Sequence, residues 1–147
     1  MVVSQEQRSR TLEQLEGEVW GEPQFDSYVV TESHRLRRVP IRQLTVENLR
    51  LLVGQKLGLP WVLELALEIL EVEPFAEGDL YEGDLLASVM ELSRAELSAC
   101  SELLERVRLV AESVARELRA RSRGDPWGTH ANTLRAIERL FLAHGSA

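Results

Sequence analysis

The chain of 147 residues is 44% hydrophobic and 28% charged with a formal net charge of −7, which is too apolar for a disordered chain and enough for one compact domain. Its longest apolar run, Leu57 to Leu70, is interrupted by Glu64 and Glu68 and falls short of the ~20 apolar residues of a membrane span. The start, MVVSQEQRSR, has no signal-type apolar core or small-residue cleavage site, so the expected location is cytoplasmic, with no membrane partner.

Residues 1–10 read as a flexible N-terminal tail. Thr11 followed by Gln14 has the form of a capping box and Gly17 suits a C-terminal stop, so TLEQLEG predicts a short helix. GEVWGEPQF predicts a loop that pins Trp20 and Phe25 onto the core. Asp26 or Ser27 caps a helix through SYVVTESHRLRR, which Pro40 closes. Thr45 caps VENLRLLVGQ, whose Val46, Leu49, Leu52 and Val53 share a face. Gly54 and Gly58 loosen its end, and Pro60 suits the first turn of PWVLELALEILE. That helix is apolar on most of its circumference and is expected at the centre, with Glu64 and Glu68 marking its water-facing side.

EVEPFAEGDLYEGD reads as a loop, and Asp84 is placed to cap DLLASVMEL. Ser93 with Glu96 forms a second capping box, opening the longest periodic segment, which runs to Arg123. Within it Leu97, Cys100, Leu104, Val107, Ala111, Val114 and Leu118 alternate by three and four. This stripe suits either packing on its own domain or coiled-coil pairing in a homodimer. SRGDPWGTH breaks it, and NTLRAIERLFLAH gives a last helix with Leu134, Ile137, Leu140 and Phe141 on one side. No segment alternates with period two, so the expected fold is all-α: a small bundle of about six to seven helices, with one long helix over 93–123 and a C-terminal helix.

The glycines of LLVGQKLGLPWV do not make a phosphate loop. That loop needs its lysine directly after the last glycine, followed by Ser or Thr, whereas Gly58 is followed by Leu59 and Pro60. The stretch reads instead as a hinge between helices. His34, His130 and His144 have no second ligand at metal spacing, and no G-x-S-x-G is present. Cys100 is the sole cysteine, which excludes an internal disulfide and reads as a buried small hydrophobe rather than a reactive thiol. No catalytic, cofactor-binding or metal residues are assigned, and the chain is not expected to be an enzyme.

Charge is uneven along the chain. Residues 1–56 hold eight basic and eight acidic side chains, residues 57–93 none against nine, and residues 94–147 nine against seven, giving 0, −9 and +2. Such a segment disfavours nucleic acid and favours a basic partner. Within it EGDLYEGD fails as a calcium loop, because the third and fifth positions from Asp79 are Tyr81 and Gly83. Two readings stand for Glu71, Glu73, Glu77, Asp79, Tyr81, Glu82 and Asp84: a solvated loop with a capping aspartate, or an acidic platform anchored by Tyr81. The Arg35, Arg37, Arg38, Arg42 cluster is expected to pair with carboxylates of this acidic segment rather than with phosphate.

The order of LEGEVWGEP, L-T-V-E-x-L-R-x-L-x-G-Q with the following G-L-P, and A-E-G-D-x-Y-x-G-D-L-L-A resembles the immunity proteins of contact-dependent growth inhibition (CDI) systems. The resemblance covers residues 11–92 and makes that stretch the immunity-protein-like core. Residues 93–147 would pack on it or form a dimer interface. The resemblance implies a small helical protein that binds the toxic C-terminal domain of a cognate delivered toxin and blocks it by occupancy. Many such toxins are nucleases with basic active surfaces, which an acidic inhibitor would match. The alternative is a non-catalytic helical adaptor or regulatory protein that dimerises through its heptad helix.

Overall fold

The protein is described here from a computed structural model covering residues 3–122 and 130–142; residues 123–129 of the break expected over 122–130, and His144, lie outside the described residues. The helices are α1 (Gln5–Arg8), α2 (Leu12–Glu16), α3 (Tyr28–Leu36), α4 (Val46–Gly54), α5 (Leu59–Val72), α6 (Asp84–Met90), α7 (Arg94–Ala99), α8 (Ser101–Ser122) and α9 (Ala131–Ile137). A 3-10 turn at Ile41–Gln43 precedes α4, and a π-helical turn at Glu138–Leu142 continues α9. The class is all-α. The one extended contact among the described residues is an isolated bridge between Thr11 and Pro40.

Helix starts are set by local chemistry. Ser4, Thr11, Thr45 and Ser93 each accept the backbone N–H three residues on, and Gln7, Gln14, Asn48 and Glu96 reach back to the cap N–H. Each such pair satisfies two amides that a first helical turn leaves unpaired. The first of them lies within the stretch expected as a tail: Gln5–Arg8 is a capped turn, Val3 is buried, and Arg8 donates from its two Nη atoms to Glu68 at 2.9 and 2.5 Å. α2 ends at Gly17, whose φ of 69° is the left-handed geometry glycine supplies without strain. Ser27, rather than Asp26, caps α3.

The hinge between α4 and α5 holds no ligand loop. Lys56 and Gly58 both adopt positive φ, 60° and 61°, and turn the chain so that Pro60 falls in the first turn of α5. A Cβ on Gly58 would meet Leu12 Cδ2 at 2.6 Å, so the glycine is required by contact as well as by backbone geometry. Gln55 is exposed and contributes its backbone N–H, which closes α4 onto the carbonyls of Leu51 and Val53.

α5 is central as expected, with Val62, Leu63, Ala66, Leu67 and Leu70 fully buried. It packs on α4, α6 and α8, while α9 lies across α6 and α8. Burying one such leucine stabilises the fold by about 1.5–3 kcal/mol, and Leu63→Ala would cost about 2–5 kcal/mol once the cavity is counted. Glu64 does not face water: it is 2% exposed and accepts a hydrogen bond from Arg106 of α8 at 2.5 Å. Glu68, beside it, is taken by Arg8.

The long segment differs from its expected form in one respect. The chain breaks at Cys100, whose φ −110° and ψ 49° leave the helical region, so α7 and α8 are separate. The Cys100 thiol is half-buried at that corner, and desolvation pushes its pKa up. On α8, Leu103, Val107, Ala111, Val114 and Leu118 are buried, and the helix packs on α5 and α9 of its own chain. The apolar stripe a coiled-coil partner would need is thereby covered from within. Among the described residues no helix is long and apolar enough to cross a membrane.

Candidate functional site

The loop between α5 and α6 is held in one shape by two carboxylates. Asp84, the first residue of α6, accepts the backbone N–H of Gly78 at 2.6 Å, of Leu80 at 2.9 Å and of Tyr81 at 3.3 Å. Gly83 rather than Asp84 is the N-cap of α6, so the aspartate organises the loop before the helix instead of capping the helix itself. From the other side Glu47, in the first turn of α4, accepts the N–H of Asp79 at 2.9 Å. Arg50, one turn along, donates from Nε and Nη2 to Glu47, both at 2.6 Å, and stands 3.9 Å from Asp84. The Arg50 guanidinium first, and the Asp79 N–H after it, hold the Glu47 carboxyl below its ordinary pKa. Gly78 is where the loop meets α4. A Cβ there would lie 2.6 Å from Glu47 Oε1 and 3.2 Å from the Glu47 Cα.

The C-terminal end of α8 closes the far edge. Arg121 Nη1 donates to Glu82 at 2.7 Å, and its guanidinium sits 4.4 Å above the Phe75 ring. His130 meets the same ring edge-on at 6.1 Å and approaches Glu82 at 3.8 Å.

These contacts divide the seven residues singled out from sequence. Asp84 is 1% exposed and spent on backbone amides, which places it behind its own loop rather than on the outer surface. Glu71 is tied to Arg106 at 2.6 and 3.0 Å, which holds its pKa below the ordinary carboxylate value. Glu82 is tied to Arg121. Glu73, Glu77 and Asp79 are exposed, and among the described residues none of the three forms an ion pair, although the charge of Asp79 is felt by Arg50 beneath the loop. Tyr81 is 44% exposed; partial burial, and then the charges of Asp84 and Glu91, push its pKa up, so the phenol stays a neutral hydroxyl.

Two apolar members of the surface were not singled out. Val72 is 88% and Leu80 63% exposed, and they stand on either side of the free carboxylates in sequence. A valine at the end of an otherwise buried helix and a leucine inside an acidic loop were the available signals. The arginine cluster also pairs differently from expectation. Arg35 binds Glu32, Arg37 binds Glu16 and Arg38 binds Glu13, all carboxylates of α2 and α3 rather than of the acidic segment. The cations that do reach that segment are Arg8, Arg50, Arg106 and Arg121.

A family model described as CDI immunity proteins matches residues 14–107, which is 94 of the 147. The chain belongs to that family. No curated protein matches it. In this CDI immunity protein the matched stretch starts inside α2 and ends at Val107, one residue beyond Arg106. It therefore contains the hinge, the loop from Glu71 to Asp84 and the α8 cation that clamps α5, and it extends past the span over which the sequence motifs were recognised. The remainder of α8 and all of α9 lie outside the match.

Proposed function

We propose that this CDI immunity protein works in the cytoplasm, binds the toxic domain of its cognate toxin one to one, and silences it by occupancy without catalysis of its own. The contact surface is the outer face of the α5–α6 loop: Val72, Glu73, Glu77, Asp79, Leu80 and Tyr81. Glu71 and Glu82 flank it as internally paired residues, and Asp84 supports it from beneath. The observation that carries this reading is a loop held from two sides whose exposed groups are three carboxylates outside any ion pair among the described residues and three exposed apolar or aromatic side chains. Preorganisation lowers the ordering cost of binding, apolar and aromatic anchors supply affinity, and free carboxylates steer a cationic partner onto them.

A basic toxin surface is the complement of that charge, and a nuclease, whose active face must attract phosphate, is the toxin class that fits it. An adaptor dimerising through α8 is disfavoured, because the stripe it would use is buried against α5. The test is protection of cells expressing the toxin domain by a Leu80→Ser/Tyr81→Ser variant. Loss of protection with an unchanged melting temperature supports the reading, and full protection removes this face from it.

A further inference from the structure

A second face has the same character, inside the stretch 1–56 whose charges balance overall. Residues 11–34 contain no Lys or Arg and six carboxylates, Glu13, Glu16, Glu18, Glu22, Asp26 and Glu32, a local charge of −6. Glu13, Glu16 and Glu32 are paired with Arg38, Arg37 and Arg35. Glu18, Glu22 and Asp26 are exposed, and among the described residues no cation lies against them. Among these free carboxylates stand four exposed apolar side chains: Val19 and Phe25 in the α2–α3 loop, and Tyr28 and Val29 in the first turn of α3. Phe25 is 71% exposed, not pinned to the core as its sequence suggested.

The loop is tethered from its inner side. Arg37, 2% exposed, donates to the Glu18 carbonyl at 2.6 Å and to the Glu16 carboxylate. Its guanidinium lies 4.3 Å from the Trp20 ring centroid, and Trp20 meets His34 edge-on at 4.9 Å. Trp20 thus anchors the loop through cation–π and ring contacts while its neighbours Val19 and Phe25 are left outside. A tethered loop that exposes aromatic side chains is arranged for contact, since soluble surfaces seldom cluster such groups otherwise.

We infer that the outer face of the α2–α3 loop and the start of α3 is a second docking surface for the same basic toxin domain, so that the toxin is held at two acidic-apolar patches. The inference rests on the toxin-binding reading above. Three observations select this occupant. Glu18, Glu22 and Asp26 call for a cationic partner, whereas a second copy related by a two-fold axis would set these carboxylates against each other. A specific interface covers about 800 Å² of each partner, from about 20–30 residues, more than the α5–α6 loop offers by itself. The two patches are also linked through packed elements, since α3 packs on α4. α3, nine residues long and therefore about 14 Å, runs from the patch toward the corner that leads into α4, whose Glu47 holds the other loop.

The test is calorimetric titration of the full chain and its variants with the cognate toxin domain, alongside melting curves. Val19→Ser/Phe25→Ser/Tyr28→Ser alters exposed positions only, and it is expected to weaken binding by about 30-fold or more, as loss of an anchor does, at unchanged melting temperature. Should that variant melt early, Glu18→Lys/Glu22→Lys/Asp26→Lys replaces it with the same expectation. Wild-type affinity in these variants, while Leu80→Ser/Tyr81→Ser is weakened, overturns the second surface and leaves the first standing. The reverse pattern keeps the second surface and removes the first. No binding of the toxin domain by the unaltered chain removes both. A dimer of the unaltered chain that becomes a monomer on substitution of Phe25 and Tyr28, seen by sedimentation, assigns the face to a second copy and overturns the inference.

Discussion

Arg106 of α8 donates from one edge to Glu64 Oε2 at 2.5 Å, and Glu64, at 2% exposure, is the buried carboxylate on the central helix. Its other edge takes Glu71. One guanidinium thereby fixes α8 to α5 at two points, two turns apart. A buried carboxylate left without its cation retains the full desolvation cost, whereas removing both partners removes that cost as well. Arg106→Met is expected to destabilise the protein by about 3 kcal/mol, and Arg106→Met/Glu64→Leu to recover most of that loss. Urea unfolding of the two variants checks it; equal losses would show that Glu64 does not depend on Arg106.

Asp84 holds the proposed contact loop from beneath, itself buried. Asp84→Ala releases the N–H groups of Gly78, Leu80 and Tyr81, at a cost of about 2 kcal/mol or more in stability for the unsatisfied amides. Toxin affinity should fall too, because the loop loses its fixed shape. Amide exchange at Gly78, Leu80 and Tyr81 provides the direct readout: it should accelerate in the variant and not in Glu73→Ala, whose side chain holds no backbone group.

Gly78 gives a steric counterpart. A methyl group there meets Glu47 Oε1 and the α4 backbone, so Gly78→Ala should either displace Glu47 or lift the loop. The expected result is a loss of about 1–3 kcal/mol, readable by thermal melting, together with weakened toxin binding. Gly21→Ala, where added atoms meet nothing within 4 Å, is the matched control and should melt as the wild type does.

The pH dependence draws on depressed carboxyls, of which Glu47 and Glu71 lie at the loop and the α5–α8 clamp. Glu47 is held below its ordinary value by Arg50 and the Asp79 amide, and Glu71 by Arg106. A folded-state pKa below the unfolded one contributes stability that is complete above the unfolded value, about 4.3, and is lost as pH falls through the folded value. Melting temperature should therefore decline below about pH 4.3, and more gently in Glu47→Gln, which has no such group to protonate. Parallel decline in the two proteins would remove Glu47 as a contributor.

The sequence made helix starts legible and tertiary partners illegible, for a physical reason. Thr11 with Gln14, and Ser93 with Glu96, are interactions three residues apart, so their geometry follows from local spacing. The Ser4 to Gln7 box carries the same local signal inside the stretch that reads as a tail. Glu64 was given to water because an i, i+4 pair of glutamates on an apolar helix marks a polar face, yet its partner lies 42 residues away. The break at Cys100 was invisible because Leu97, Cys100 and Leu104 keep helical phase across it. On the surface, counting carboxylates found the acidic segment, but only coordinates separate Glu73, Glu77 and Asp79 from Glu71 and Glu82, which Arg106 and Arg121 already hold.

The most direct test of toxin capture by an exposed, preorganised anionic face is the association rate between the toxin domain and the protein across ionic strength. For the wild type the rate should fall by about tenfold or more between low and moderate salt, as screening removes electrostatic steering. Glu73→Lys/Glu77→Lys/Asp79→Lys should associate slowly at every salt concentration with its melting temperature preserved. Equal rates and equal salt slopes in the two proteins would contradict the account.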